Sequence, residues 1–291
     1  MSTTKDAPSL HLDFVEIVAP RLWMSTSYKN TYVAATPTTK FDVDNPGTGW
    51  FDCGTIKSVR VPVAKEVFEH KQGIPKTTRK QWETDRTAQI TFDTTDLTPY
   101  VEALIKGATL YNVLGSAAAS AEHVASLYTD GTRRRKYVKL TKTVNPGFSE
   151  YDIVVCGSDT NASNKDCYNI GVVESLSASL VTMADAGFPV DPVAGDLVQK
   201  VRAVEFLDSL GSDTDRSALL FWDTVVSGST SKAQYAMYFP KVRNYSGGDM
   251  DMKDSAEPYS ESITLSAEAM QLTFADGSTS YAFYKKWLLQ F

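Results

Sequence analysis

Two runs of alternating apolar and polar side chains, separated by a glycine-proline turn, dominate the first third of this sequence and fit no helix. A period of two places successive side chains on opposite faces of an extended chain. In the first run, WFDCGTIKSVRVPVAKEVFEH from Trp50, the residues Val59, Val61 and Val63 share one face, opposite charged or small residues. The β-branched valines reinforce a strand or bent strand pair, and Pro62 within the run implies an edge position or a bulge. KQGIPK then supplies a turn. In the second run, TTRKQWETDRTAQITFDT, Ala88, Ile90 and Phe92 face one side and Thr87, Gln89 and Thr91 the other. Together the runs predict a long β-hairpin. Its polar, charged tip spans about residues 71–86 and includes Gln72, Gly73, Ile74, Pro75, Lys76, Arg79 and Trp82.

A short helix is predicted directly after the hairpin. Asp96 can cap it, Pro99 suits its first turn, and Tyr100, Val101, Leu104 and Ile105 form an apolar stripe ended by Gly107. Residues 115–131, rich in Ala and Ser, suggest a second, weaker helix. Strand patterns return around 137–141, 151–156, 168–183, 197–207, 218–226, 233–245 and 261–274, the last with Ile263, Leu265 and Ala267 on one face. Residues 1–8 are polar, 10–24 read as extended but interrupted by Pro20, and 25–49 carry loop chemistry. The expectation is a mainly β chain, a β-sandwich or barrel-forming fold with one short flanking helix and long loops. It is read as a single domain over 1–291, with a flexible N-terminal arm (about 1–30) and an elaborated middle region (about 108–232).

Composition and motifs exclude more than they assign. The 291 residues carry a formal net charge of -6, which argues against a general duplex-DNA binder. The N-terminus lacks the charged and apolar regions of a signal peptide, and no apolar run approaches the ~20 residues of a membrane span, so a soluble, cytoplasmically made protein without membrane contact is expected. Cys53, Cys156 and Cys167 form no CxxC pair and read as reduced thiols, although a Cys156–Cys167 bridge is compatible with the spacing. His11, His70 and His123 lack metal-ligand spacing. Phosphate-binding glycine loops and a nucleophile elbow are absent. The Ser229-Thr230-Ser231-Lys232 match to SxxK falls in a loop, and Asp249, Asp251 and Asp254 lack the remaining ligands of a calcium loop. The basic run Arg133, Arg134, Arg135, Lys136 suits a charged strand edge as well as an anion grip. No cofactor, metal or catalytic residue is assigned, and an enzyme is not expected.

The order of the segments carries a resemblance. Trp50-Phe51-Asp52-Cys53-Gly54 leads into the hairpin, whose tip carries Gly73-Ile74-Pro75-Lys76 and whose return strand contains QITF. DLTPYVEALIKG follows, and YFPKVRNY, a DMDMKD turn and ESITLSAEA come near the C-terminus. This order resembles the major tail proteins of long-tailed, siphophage-type bacteriophages, and more distantly the tube proteins of contractile tails and type VI secretion. It covers about residues 50–107 and 233–270. The resemblance implies a β-sandwich with one flanking helix that assembles with copies of itself into stacked, hexameric rings forming the tail tube of a virion. DNA would pass through the lumen without specific binding, and the tape measure, terminator and distal tail proteins would be neighbours. The tip residues 72–76 with Arg79 and Trp82 would then make inter-ring contacts. Val59, Val61, Val63, Ala88, Ile90 and Phe92 would form the sheet core or ring interface, and Arg60, Gln89 and Thr91 would line the lumen or subunit contacts. The rival expectations are another tail or secretion-tube part, or a carbohydrate-binding sandwich using Trp82, Trp222 and Trp287.

Overall fold

The alternating runs do become strands, and they organise most of the molecule. The computed structural model describes residues 14–25, 46–47, 49–72, 77–94, 98–114, 121–126, 137–140, 147, 149–157, 167–177, 180–184, 187–207, 215–226, 232–246 and 261–290. In chain order the elements begin with β1 (Phe14–Ser25), β2 (Trp50–Arg60), β3 (Val63–Gln72), β4 (Thr77–Thr94) and α1 (Pro99–Lys106). Next come β5 (Thr109–Leu114), β6 (Ala121–Ser126), β7 (Tyr137–Leu140), β8 (Ile153–Gly157), β9 (Ile170–Ser177), β10 (Leu180–Met183) and β11 (Leu197–Leu207). The chain finishes with β12 (Arg216–Val226), β13 (Lys232–Ser246), β14 (Glu261–Ala267), β15 (Met270–Thr273), β16 (Thr279–Ala282) and β17 (Lys285–Gln290). The protein is therefore mainly β, with one short helix.

The strands form several antiparallel sheets rather than a regular closed barrel. An eight-stranded sheet runs β12-β1-β2-β4-β14-β13-β17, with β3 attached to β4 and a further β12–β13 ladder that curls the sheet back towards itself. The seven strands β5 to β11, drawn from the middle region, make a second sheet in the order β5-β11-β6-β7-β10-β9-β8. The hairpin β15–β16 stands as a third, two-stranded unit. Prolines fall where the ladders break. Pro20 lies in the register shift between Val18 and Arg21, and Pro240 opposite the shift between Arg216 and Ala218. Pro62 sits in the gap between β2 and β3, where its carbonyl still accepts from Gln89 N–H at 3.1 Å. A proline has no N–H to donate, so these are the positions that lose least by holding one.

The main core lies between the two sheets. Ala88, Ile90 and Phe92 of β4 are buried there with Ile263, Leu265 and Ala267 of β14, and Val59, Val61 and Val63 pack against its rim. The helix joins this core through Tyr100, Val101, Leu104 and Ile105, but also buries Ala103 and Glu102. Glu102 keeps its charge partner on the next turn, Lys106 Nζ at 2.6 Å. The helix is thus embedded between sheets rather than flanking one. A second cluster, including Val138, Val154, Met183 and Phe188, belongs to the middle sheet alone. A third, with Trp23, Trp50 and Tyr238, lies on the reverse of the large sheet, where Leu272 and Ala282 of the β15–β16 hairpin join it.

Three expectations change. The helix cap is Thr98, whose hydroxyl accepts from Val101 N–H at 3.3 Å, rather than Asp96, which lies outside the described residues. Pro99 takes the first helical position after that cap, where its missing N–H costs nothing. The Ala-rich stretch 115–131 contributes the strand β6, paired with β7 and β11, because sheet pairing overrides alanine's helix preference. Phe14–Ser25, expected within a free arm, is held between β12 and β2, while residues 1–13 and 26–30 lie outside the described residues. All three cysteines are free, so Cys156 and Cys167 are not bridged.

Two stability predictions follow from this packing. Phe92 is fully buried, so Phe92→Ala should cost about 3–5 kcal/mol in urea unfolding. Gly107 ends the helix at φ 66, where a side chain is disfavoured, and Gly107→Ala should cost about 1–2 kcal/mol. A third concerns acid. Asp93 accepts from Ser58 Oγ at 2.5 Å, and this bond, with Ser262 and then the charges of Arg60 and Lys57, holds its carboxyl below its ordinary value. A depressed folded value adds stability above the unfolded value, about 3.9, and that stability fades as pH falls through the folded one. Asp93→Asn should therefore be less stable than the parent at pH 7, with the difference closing as pH falls through the folded value in pH-resolved thermal melts.

Candidate functional site

Strand β4 belongs to two environments, and the change between them defines the most unusual surface of the molecule. Its C-terminal half, from Ala88 to Thr94, is flanked by β14 along its length and by β2 near its end. Its N-terminal half has β3 as its neighbour and no second partner among the described residues. Burial changes at the same point: Ala88 is buried and Thr87 is exposed. The ten-residue strand β3 and the matching part of β4 therefore leave the sheet as a two-stranded arm reaching roughly 30 Å at the usual strand rise.

Among its described residues the arm buries no side chain. Every residue of β3 from 64 to 71 is exposed, as are Glu83, Asp85 and Arg86 on the return strand. Charged side chains occupy most of these positions, with Lys65 Nζ 3.1 Å from Glu83 and Lys71 Nζ 3.3 Å from Glu69. Solvated pairs of this kind add little stability, and a lone two-stranded ribbon is marginal in water. Two large apolar side chains nevertheless face solvent here, Val67 at 50% and Phe68 at 57% exposure. Register shifts between Glu66 and Val67 and between His70 and Lys71 add twist to the ribbon.

The predicted tip residues map onto this arm. Gln72 closes β3 opposite Thr77, and Trp82 lies opposite Phe68 in the ladder. Arg79 is the extra residue at the second register shift, where His70 faces Lys80 and Lys71 faces Thr78. Gly73, Ile74, Pro75 and Lys76 lie outside the described residues, as do the side chains of Gln72, Arg79 and Trp82. The other predicted set, Val59, Val61, Val63, Ala88, Ile90 and Phe92, is brought together inside the subunit with the helix residues Tyr100, Val101, Leu104 and Ile105. On the opposite face of the ladder Arg60 is exposed and Gln89 and Thr91 half-buried, with Thr91 Oγ1 3.2 Å from Thr264 Oγ1. The sequence reading passed over Val67 and Phe68. Adjacent apolar residues in a strand point to opposite faces, so one core cannot bury both, and that was the available signal.

Among the described residues no group of three His, Cys, Asp or Glu side chains gathers to hold a metal ion, and no helix is long and apolar enough to cross a membrane. The basic run 133–136 and the acidic turn 249–254 lie outside the described residues. Burial pushes the Cys53 thiol well up, with the Asp52 carboxylate adding to it. The Cys156 thiol is likewise raised, first by burial and then by Asp196. Neither is poised as a nucleophile. Compared with known proteins, the chain matches no family model and no curated sequence.

If the arm lacks its own core, its amides should exchange early. Hydrogen exchange on the dispersed subunit should deuterate peptides from 64–72 within seconds while those from 88–94 stay protected at least a hundredfold longer. Equal protection in the two halves of β4 would show that the arm is stabilised within the subunit.

Proposed function

We propose that this protein is a structural subunit that assembles with copies of itself into stacked rings, forming the tail tube through which a long-tailed bacteriophage passes its DNA. The observation that carries the reading is the projecting β3–β4 arm: exposed on every described residue beyond the sheet, marginal by itself, and bearing Val67 and Phe68 in solvent. An element of this kind gains its stability from a neighbour. Strand edges add support. Among the described residues β17 pairs only with β13 and β5 only with β11, so each offers backbone groups to another chain. Rings close when such head-to-tail contacts rotate through a full turn, and axial arms then join ring to ring. The segment order that resembles tail tube proteins supplies the identity of the assembly, and the net charge of -6 suits a conduit to which DNA does not adhere.

The test is electron microscopy of the purified chain over a concentration series, beside a variant in which residues 66–85 are replaced by Asn-Gly. That change closes the ladder at the Lys65–Arg86 pair with a two-residue turn and leaves Ala88, Ile90 and Phe92 in place. The parent should form rings and tubes with a central channel. The shortened chain should keep its circular dichroism and melting temperature but form no tubes. Normal tubes from the shortened chain would remove the arm from the mechanism, and a parent that stays monomeric to several hundred micromolar would overturn self-assembly.

A further inference from the structure

A cleft of about 850 Å³ opens between the two large sheets and shares no residue with the arm. The large sheet contributes β1 and β2, the middle sheet contributes β8, β9 and β11, and the first turn of α1 closes one side. Its walls are largely apolar. Phe51 and Val101 meet Ile170, Val172 and Pro189 across the gap. In β9 the alternation is sharp: Ile170 and Val172 line the cleft, while Val173 turns into the middle sheet's own core. A Cβ at Gly171 would sit 3.0 Å from Met183 Sδ and 3.3 Å from Phe188 Cε1, tighter than ordinary contact, so that wall is backed closely by the middle sheet's core.

Three charged side chains enter this apolar space. Arg21 Nη1 stands 3.6 Å from Asp52 Oδ2, so those two offset each other. Arg202 has no ion-pair partner among the described residues, and it reaches the cleft by a local defect in the ladder. Val201 faces Leu114 and Ala203 faces Val113, which makes Arg202 the extra residue of a β-bulge. Bulges re-aim a side chain that regular pleating would send elsewhere. Arg21 also follows a register shift, the one after Val18. An apolar cleft of this size with a few convergent polar groups has the make-up of a small-ligand site, for which about 300–1,000 Å³ is usual.

We infer that the inter-sheet cleft binds a small amphipathic carboxylate, its alkyl or aryl body against Phe51, Ile170 and Val172 and its anionic head on Arg202. The guanidinium fork matches a carboxylate in two parallel hydrogen bonds, and the surrounding apolar wall strengthens a charge-assisted bond relative to water. With Asp52 set against Arg21, Arg202 is the one remaining charged side chain lining the cleft among the described residues, which fits a monoanion. A neutral ligand of the same shape leaves that charge unanswered.

Fluorescence titration with anilinonaphthalene sulfonate, an aromatic monoanion, tests the site, with decanoate and decanol as competitors. The parent should give one saturable phase, displaced by decanoate at a concentration at least tenfold below that required for decanol. Arg202→Gln, an exposed position, should weaken decanoate at least about tenfold through loss of the charge-assisted hydrogen bonds. Ala203→Trp, also at an exposed lining position, should remove the saturable phase without changing circular dichroism. The arm-shortened chain should titrate like the parent, so the result stands apart from assembly. The inference is overturned if the parent shows no saturable phase, or if Arg202→Gln and Ala203→Trp both titrate as the parent does.

Discussion

The burial of α1 between the two sheets is the constraint on which the remaining architecture depends. A helix of eight residues is too short to persist in water by propensity alone. Here it has Thr98 at one end, Gly107 at the other, and apolar walls around most of its circumference. It touches strands of both sheets, β2 and β13 of the large one and β5 and β11 of the middle one, and shares a core with Ile90, Leu265 and Leu110. Phe51 carries the same junction outward, with its ring 6.4 Å from both Tyr100 and Tyr168. The two sheets therefore share a core, and neither can shift relative to the helix without opening apolar surface.

Polar groups fix the register of that junction. Asn112, fully buried on β5, accepts from the Tyr100 hydroxyl at 2.6 Å and donates through Nδ2 to the Cys167 carbonyl at 3.0 Å. Helix, middle sheet and the approach to β9 are joined by one side chain. Apolar packing is non-directional and tolerates small slides, whereas an unmade buried hydrogen bond costs about 1–3 kcal/mol. Gly49 N–H donates to the Pro189 carbonyl at 2.6 Å, a second directional tie between the sheets. The cleft lies beside these ties, so its width is held by hydrogen bonds as well as by packing.

Legibility in the sequence followed the range of the interactions. The hairpin was plain because its two strands are neighbours in the chain and each alternates with period two, so Ala88, Ile90 and Phe92 could be placed inside from pattern alone. The helix was legible for the same reason, although its cap was set by Pro99 and moved to Thr98. The middle region shows the limit. Its strands at 153–157 and 197–207 carried recognisable patterns, but β5 pairs with β11 from far along the chain, and no local signal encodes that partner. Residues 115–131 were misread for a related reason: alanine favours a helix weakly, and a ladder on either side of β6 outweighs it. The cleft was invisible, since Arg202 looks like any exposed cation until the bulge beside Val201 is seen.

The two surfaces singled out by the structure differ in how they obtain their stability. The β3–β4 arm holds two apolar residues, Val67 and Phe68, half-exposed to solvent, and its solvated ion pairs add little. The cleft does the reverse, sheltering apolar walls inside a framework that is already closed by Tyr100, Asn112 and Phe51. A segment that is costly in the isolated chain becomes explicable when its burial happens in another molecule. A cavity maintained by a rigid surround is explicable when its shape has to exist before anything enters it. The same β4 strand links the two, because the pairing with β14 that anchors the arm at Ala88 also places Ile90 and Phe92 in the core shared with the helix that closes one side of the cleft.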